Sequence, residues 1–403
     1  MNTLSTGFNQ EKIQSMNRTL LLNLLRKEGI CSRAHLASIS QLKQSTITYL
    51  INDFMKWNIV KEIGLISGNK GRRSIGLTIN NENYGILAVR LARKNYSVGI
   101  FDLCGKVVQI IRTDISPNAT PKQILSSIIE QGHHLIANAP DRKILLTGMA
   151  LPGPYSFKKD RIELMTGVVG WNEIDIKRQM EEQFQIPVLI EQDANCGALA
   201  QFWYTNIPLQ NELLVYIAVG QGIGAGIIDN GEIVHGSIGA AGEIGHTTIN
   251  FNGPRCSCGN TGCLETYCSS IVFTNEVNQA FHPATPFSFK DVCALMQSNN
   301  PVVTDIYKKI CNKLSIGIIN IINSLNPSII VLGDELCHVS PDIMLAQINQ
   351  NVKEKILPGI SEETTICTSF LGAGSDSIIH GAAVLAIKEL FSNPPKYLDK
   401  INN

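Results

Sequence analysis

Three cysteines and one histidine lie close together in residues 243–265. Cys256, Cys258 and Cys263 fall within eight residues, and His246 precedes the first of them by ten residues. Three thiolates and one imidazole fill a tetrahedral zinc shell with no open position, which is typical of a structural site. A disulfide is the alternative, but three cysteines leave one thiol over. The spacing therefore predicts structural Zn²⁺.

Two carboxylates flank these four candidate ligands. Glu243 and Glu265 are poor partners for a zinc shell that three cysteines and a histidine already fill. A carboxylate binds sugar hydroxyls well, because it accepts charge-assisted hydrogen bonds. We therefore expect both glutamates to face a binding pocket beside the metal. The nearby Cys268 is expected to be a buried thiol.

Two further motifs each leave a catalytic and a structural interpretation open. The glycine-rich run from Gly220 to Gly226 would let backbone N–H groups approach a phosphate, and it fits a β-turn equally well. Asp193 lies where a predicted strand meets a predicted helix, so it is a candidate catalytic base. For an isolated aspartate at such a junction, capping the helix is the more common role.

The first 80 residues carry an excess of positive charge. They hold eleven Lys and Arg residues against four Asp and Glu residues, a net charge of +7, whereas the whole chain is neutral. Helical spacing predicts a helix from Met16 to Gly29, a short helix after Ser32 and a third over Gln44–Trp57. Strand-like runs around the cationic segment 67–73 predict a β-hairpin. A small helical interaction domain fits the helices, but the charge and the hairpin favour a winged helix-turn-helix in residues 1–80.

The third helix and the hairpin tip carry the predicted DNA contacts. The buried stripe of the first helix is predicted to hold Leu20, Leu21, Leu24 and Leu25, and that of the third Ile47, Leu50, Ile51, Phe54 and Met55. The opposite face of the third helix and the wing offer polar and cationic groups for base edges and phosphates. These groups are Lys43, Gln44, Ser45, Thr46, Thr48, Tyr49, Asn52, Arg72 and Arg73. Operator DNA is therefore the predicted partner.

From about residue 81 the pattern changes to strands alternating with helices. Two β-meanders, in residues 84–108 and 213–234, open two similar halves, which predicts two α/β lobes around a cleft. The first lobe is predicted over residues 81–200, completed by a C-terminal helix at 377–391. The second, over 201–376, is predicted to hold the zinc loop and an oligomerisation surface.

Composition is that of an ordinary globular protein. With 403 residues, 44% of them hydrophobic and 17% charged, the chain is long enough for two or three domains. We find no signal-peptide pattern at its start, and its apolar runs are too short to span a bilayer. Eleven cysteines without an export signal indicate reduced thiols. We expect a cytoplasmic protein with no membrane partner.

Five motifs of the body resemble those of the ROK family of repressors and sugar kinases. They are "ALPGP" at 150–154, "EQDANCGALA" at 191–200, "VGQGIGAGII" at 219–228, "GEIGH" at 242–246 and "CSCGNTGCLE" at 256–265. The resemblance implies a two-lobed, sugar-kinase-like fold of the actin-like ATPase and ribonuclease H-like type, with zinc on the histidine and the three cysteines. It also implies a sugar between the lobes. The implied sugar contacts are Pro152, Gly153, Asp193, Glu243, His246 and Glu265.

The N-terminal residues resemble the repressor branch of that family. "QSTIT" at 44–48 and "GRRS" at 71–74 are similar to its sugar-responsive repressors, those that respond to xylose in particular. The resemblance implies control of carbohydrate-utilisation genes by operator binding. A homodimer or a dimer of dimers is expected, because paired half-sites multiply affinity and match two-fold symmetry.

The chain departs from the family where its kinases hold phosphate. Kinases of the family carry an Asp-x-Gly-Gly-Thr motif on the first hairpin. The residues here are Arg90, Ala92, Arg93 and Lys94. Asp334 and Glu335 replace a second glycine pair, and Gln221 replaces a threonine. Long cations in place of an acid and two glycines remove the backbone approach to phosphate, so the resemblance implies a sensor without kinase activity, although Asp193, the matching kinase base, is retained.

Two other functions stay open from the sequence. A sugar kinase with an added DNA-binding head would turn over ATP. A repressor controlled by a protein partner would release its operator without a sugar. Val168 stands where the family has a sugar-binding asparagine, which leaves the identity of the sugar open.

Overall fold

The computed structural model describes residues 10–67, 73–153, 155–156, 161–162, 170–205, 213–357, 363–371 and 375–399. The chain begins with three helices and an antiparallel hairpin, in the order predicted for a winged helix-turn-helix. These are α1 (Gln10–Glu28), α2 (Arg33–Ser40), α3 (Gln44–Lys56), β1 (Val60–Ser67) and β2 (Arg73–Ile79). The predicted cap of α2 is confirmed, because the Ser32 side chain accepts a hydrogen bond from the backbone N–H of His35. The hairpin tip, with Arg72, lies outside the described residues.

The core of this head differs from the prediction at two positions. Leu20 is 39% exposed and Met55 is 36% exposed, whereas both were expected to be buried. On α1 the buried face includes Leu22 instead, because this helix packs against the body of the protein as well as the head. After α3, Trp57 and Ile59 are buried and belong to the core of the head.

The first lobe is a five-stranded mixed sheet with helices. Its elements are β3 (Tyr84–Leu91), β4 (Asn95–Phe101), β5 (Val107–Asp114), α4 (Pro121–Ala137), β6 (Lys143–Leu151), β7 (Tyr155–Ser156), β8 (Arg161–Ile162), α5 (Ile176–Phe184), β9 (Val188–Gln192) and α6 (Asp193–Tyr204). The strand order is β5-β4-β3-β6-β9. The meander β3–β5 is antiparallel, and β6 and β9 continue the sheet in parallel. β3 and β4 are buried along their whole length, as expected for the centre of a covered sheet.

The second lobe repeats this arrangement. Its elements are β10 (Leu213–Val219), β11 (Ile223–Asp229), β12 (Glu232–Ile233), α7 (Glu265–Cys268), α8 (Ser270–Phe281), α9 (Phe289–Gln297), α10 (Pro301–Leu325), β13 (Ile329–Gly333), α11 (Pro341–Lys355) and β14 (Thr365–Thr368). The order β12-β11-β10-β13-β14 has the same antiparallel meander and the same two parallel strands. The two-lobed α/β fold is therefore confirmed, with α8, α9 and α11 as helices that the sequence analysis does not predict.

Two helices join the lobes and the head. After the second lobe come α12 (Ser377–Ser392) and α13 (Pro394–Leu398). The helix α12 packs on β3 and β6 of the first sheet and against α6, which itself packs on β10 and β11 of the second sheet. Gly381 permits this approach, since a Cβ there would overlap the Cys196 carbonyl of α6. The opposite face of α12 contacts α1, so buried residues of the head and the body form one continuous core.

Candidate functional site

A cavity of about 270 Å³ lies between the lobes, at the carboxyl ends of the parallel strands. Pro152 and Gly153 follow β6, Asp193 follows β9, and Asp334 follows β13. Gln221 lies in the turn between β10 and β11. Open α/β sheets place ligands at this edge, because the loops after successive parallel strands meet there. The fold therefore brings residues from both lobes to one pocket.

All six residues predicted to bind sugar line this cavity. They are Pro152, Gly153, Asp193, Glu243, His246 and Glu265. Two of the carboxylates are fixed by hydrogen bonds. Glu243 Oε1 accepts one from Gln192 Nε2 at 2.7 Å, and Glu265 Oε2 accepts one from the backbone N–H of Ile223 at 2.9 Å. The second oxygen of Glu243 lies 3.9 Å from His246 Nε2, and that of Glu265 lies 3.5 Å from Arg93.

Asp193 is the first residue of α6, and Gln192 takes the N-cap position. Asp193 Oδ1 accepts a hydrogen bond from the backbone N–H of Ala194. Burial raises the pKa of Asp193 to about 7, Asp334 and Glu243 add to that rise, and the nearby Arg90 guanidinium opposes it. A carboxyl group with a pKa near neutrality exchanges a proton readily, which suits both hydrogen bonding to hydroxyls and base chemistry.

The predicted metal ligands form one cluster. Ligand atoms of His246, Cys256, Cys258 and Cys263 lie within 4.8 Å of one another. The Cys258 and Cys263 sulfur atoms are 3.8 Å apart, and Cys256 Sγ is 3.7 Å from His246 Nδ1. A zinc tetrahedron with Zn–S bonds of about 2.3 Å separates its sulfur atoms by about 3.8 Å, so these four residues fit the ion. All eleven cysteines are free thiols, which removes the disulfide alternative.

His246 lies between the metal cluster and the cavity. Its Nδ1 faces Cys256, while its Nε2 lies 3.9 Å from a carboxylate oxygen of Glu243. The loop that carries the cysteines is held by its own backbone, with the Cys256 N–H donating to the Asn260 carbonyl at 2.8 Å. The same residue can thus bind a metal with one nitrogen and a ligand with the other.

The other half of the cavity is built around a buried arginine. Arg90 lines it from the end of β3 and makes ion pairs with Asp334 at 2.9 Å and Asp376 at 2.8 Å. Burial lowers the pKa of Arg90, but the two aspartates outweigh this and raise it well above its ordinary value. Burial by itself would raise the pKa of Asp376, but the Arg90 guanidinium outweighs burial and lowers this pKa below its usual value. Arg90 and Asp376 are therefore both charged.

A second arginine lies directly beside the predicted sugar ligands. Arg93 donates to the Gln221 carbonyl at 3.1 Å and lies 3.5 Å from Glu265 Oε1. Ala92 also lines the cavity, whereas Lys94 is exposed and lies outside its lining. Three of the four residues at the kinase phosphate motif therefore face the cavity.

The glycine-rich run 220–226 forms the β10–β11 turn. A Cβ at Gly222 would overlap Glu265 and Arg93, so only glycine allows these side chains to lie against the backbone. The Ile223 N–H that would approach a phosphate donates to Glu265 instead. The run is therefore both a β-turn and an anion-binding site, and the anion that it binds is the Glu265 carboxylate of the same chain.

The roles of two carboxylates were not predicted from the sequence: Asp376 lines the cavity, whereas Glu191 lies outside its lining. Asp376 caps α12, with its Oδ1 accepting from the Ile378 N–H at 3.0 Å. Glu191 is buried, binds the Asn195 amide at 2.9 Å and pairs with His235 at 2.7 Å. The pattern "DSII" after a glycine-rich loop signals the cap, but no local pattern signals the distant partners of either carboxylate.

The predicted DNA contacts lie on the surface of the head. Thr46 is half-buried, and all the other described members of the set are exposed. Those exposed residues are Lys43, Gln44, Ser45, Thr48, Tyr49, Asn52 and Arg73. Most of them lie on α3 or at its N-cap, and Arg73 is the first residue of β2.

Comparison with known proteins identifies the family. The model of the ROK family matches residues 86–389. The chain belongs to the ROK family. It is 29% identical to the xylose repressor of Bacillus spizizenii over 369 residues, which cover 92% of this chain and 94% of that relative. Each helix among the described residues is too short or too polar to cross a bilayer.

Two solved ROK structures differ in how much of the chain they match. A ROK transcriptional regulator, described as a homologue of the E. coli MLC protein, has a TM-score of 0.78 at 24% identity and covers 97% of this chain and 99% of its own. A ROK glucokinase from Streptomyces griseus, solved with glucose and AMPPNP, has a TM-score of 0.65 at 19% identity and covers 75% of this chain and 98% of its own. The fold is thus that of the whole regulator, and the glucokinase matches only part of it.

Proposed function

We propose that this ROK protein is a sugar-responsive DNA-binding repressor of carbohydrate-utilisation genes. The observation that carries the proposal is the joining of two parts in one chain. One part is a winged helix-turn-helix head that presents polar groups on α3. The other is a cleft whose acidic and imidazole groups, Asp193, Glu243, His246 and Glu265, converge on one cavity. The similarity to xylose repressors along the chain supports the same function.

The sugar would bind to the carboxylate half of the cleft. Asp193, Glu243 and Glu265 accept hydrogen bonds from hydroxyl groups, with His246 Nε2 and the backbone of Pro152 and Gly153 completing the site. Xylose or a related sugar is the favoured ligand, because relatives 29% and 30% identical to the chain are named a xylose repressor and a putative xylose repressor.

Zn²⁺ would be held by His246 and the three cysteines of the cluster. A closed shell of this kind supplies structural rigidity and leaves no coordination position for a substrate. Its effect on the sugar site is positional. The ion fixes the ring of His246 and the loop that ends at Glu265, so two of the sugar contacts are preorganised.

DNA binding would follow the usual geometry of a winged head. The exposed face of α3 enters the major groove, and Arg73 with Arg72 contacts phosphates or the minor groove. Two heads are needed for two operator half-sites, so we propose a homodimer, alone or paired into a dimer of dimers.

The kinase alternative is disfavoured by what occupies the phosphate half of the cleft. Arg90 and Arg93 form ion pairs with carboxylates of the chain, and the Ile223 N–H donates to Glu265. A nucleoside triphosphate would have to displace these groups, and it would bring its negative charge to Asp334 and Asp376. We therefore propose that the cleft binds sugar without phosphorylating it.

The decisive experiment measures operator affinity of the purified chain with and without sugar. A panel of xylose, glucose and N-acetylglucosamine is first screened by thermal shift, because a selective ligand raises the unfolding temperature. We expect one sugar to change operator affinity and no sugar to stimulate ATP turnover. Sugar-dependent ATP turnover would establish the kinase instead. Operator release by membrane fractions, with no effect of any sugar, would indicate control by a protein partner.

A further inference from the structure

Arg90 connects three parts of the molecule that are distant in sequence. It extends from β3 of the first lobe, its residue is 9% exposed, and it pairs with Asp334 of the second lobe. The same guanidinium pairs with Asp376, the N-cap of α12. A guanidinium stays charged when it is buried, and leaving it unpaired is strongly destabilising, so a relative movement of the lobes must strain or rearrange these pairs.

Asp334 adds evidence that the pair is a built feature. Its φ is +72°, a left-handed conformation that costs a non-glycine residue free energy. Glycine would remove that cost, but it would leave Arg90 without two of its hydrogen bonds, at 2.9 and 3.0 Å. The backbone strain is thus offset by the buried ion pair.

The helix that begins at this ion pair ends at the DNA-binding head. α12 has sixteen residues, so it spans about 24 Å at the rise of an α-helix. At its far end the Ser15 hydroxyl of α1 donates to the Ser392 carbonyl at 2.6 Å. Just beyond α13, Asp399 accepts a 2.7 Å hydrogen bond from Nε1 of Trp57, the residue that follows α3. Helices and hydrogen bonds therefore connect the cleft to α1 of the head and to Trp57 at the end of α3.

We infer that Arg90 is the positioning residue that couples the sugar cleft to the DNA-binding head. By holding Asp334 and Asp376 together, it ties the second lobe to the start of α12, which packs on the sheet of the first lobe. When the lobes change their separation around a sugar, α12 moves with them and carries α1 and Trp57. The inference rests on the proposed function, and it adds a route by which binding changes the placement of the head.

The test separates coupling from binding in the full-length chain. Operator affinity is measured with and without the sugar found by the thermal-shift panel, and sugar affinity is measured separately by calorimetry. Because Arg90 lines the cavity and faces Asp193, the operator response of Arg90→Gln is measured at saturating sugar. We expect that response to fall from the roughly 5–150-fold range of allosteric effects to within about twofold of none. A merely structural role would lower the unfolding temperature and leave that ratio unchanged.

A second set of variants guards against failure of the first to fold. Arg90→Gln combined with Asp334→Asn and Asp376→Asn removes the whole charge group, so no buried charge is left unpaired. At the head end, Ser15→Ala with Asp399→Ala removes two hydrogen bonds between the head and the C-terminal segment, far from the cleft. Both sets should bind sugar and lose the operator response.

The matched control is an exposed ion pair. Lys309 and Asp305 lie on α10 at 2.8 Å, and Lys309→Gln with Asp305→Asn should keep the wild-type response. If sugar changes the operator affinity of the wild type and of both variant sets by the same factor, the inference is wrong and the proposed function stands. If the wild type shows no response to any sugar, the proposed function fails, and the inference fails with it.

Discussion

The two halves of the cleft are constructed in opposite ways. In the carboxylate half, Glu243, His246, the three cysteines and Glu265 come from one segment of 23 residues, residues 243–265. In the arginine half, Arg90 and Asp334 are separated by 244 positions, and Asp376 comes from a third region. Most of the first half is a local loop that a metal ion can fix, and it is joined by Asp193 from the start of α6 and by Pro152 and Gly153 after β6. The second exists only when both lobes and α12 are assembled, so it is sensitive to their arrangement.

The largest effect is expected from removing a metal ligand. Cys263→Ser should lose about one zinc ion per chain and several kcal/mol of stability, because a structural zinc contributes directly to folding. Metal analysis and thermal unfolding measure both quantities. Cys268→Ser is the matched control, since Cys268 is buried outside the cluster and should leave the zinc content unchanged. Equal metal content in Cys263→Ser and the wild type would contradict the zinc assignment.

A smaller loss of stability is expected in the arginine half. Asp376→Asn keeps the side-chain size and can still cap α12, but it removes one charge that faces Arg90. The expected cost is about 3 kcal/mol, at the low end for a broken buried pair because Asp334 remains. Chemical unfolding measures it. Asp305→Asn, in an exposed pair, should leave the unfolding midpoint unchanged, and a similar shift in both variants would show that the buried pair has no special role.

A substitution of Glu265 tests whether the two halves of the cleft act separately, because Glu265 lines the cavity and also pairs with Arg93. Glu265→Gln removes a charged acceptor and should weaken sugar binding by about tenfold to a hundredfold. Operator affinity without sugar should stay unchanged. Calorimetry and operator titration measure the two affinities, with the exposed Glu354→Gln as control. Undiminished sugar affinity in Glu265→Gln would exclude it from the site.

A pH dependence is expected at the boundary of the two halves. The pKa of Asp193 rises from 3.8 to about 7 in the folded chain, through burial first and then Asp334 and Glu243, against the effect of Arg90. The folded state therefore binds more protons than the unfolded state between these values. Its contribution to stability is full below pH 3.8 and is lost as the pH rises through about 7.

The comparison with Asp193→Asn isolates this effect. The asparagine side chain does not titrate, so the stability difference between the variant and the wild type should change steadily from pH 4 to 7 and then level off. The wild type becomes less stable relative to the variant as the pH rises. Unfolding midpoints across this pH range measure the difference. A constant difference would mean that Asp193 keeps its ordinary pKa.

Prediction from the sequence worked best where neighbours along the chain are neighbours in space. The helix cap at Ser32, the start of α6 at Asp193 and the hairpins of both lobes follow from local patterns, and the structure confirms them. It was wrong at Leu20 and Met55. Helical periodicity predicts which side of a helix is apolar. The elements packed around the helix decide which residues at the edge of that side are buried.

The sequence by itself identified the candidate zinc ligands, the acidic groups beside them, the basic head and the order of its elements. Each depends on residues within a few turns or one loop, where spacing fixes geometry. Only the tertiary structure decided that Arg90 joins Asp334 and Asp376, and that α12 connects this ion pair to Trp57 through Asp399. Those contacts join residues up to 342 positions apart. The packing of two lobes and a head brings them together, and no local pattern encodes that distance.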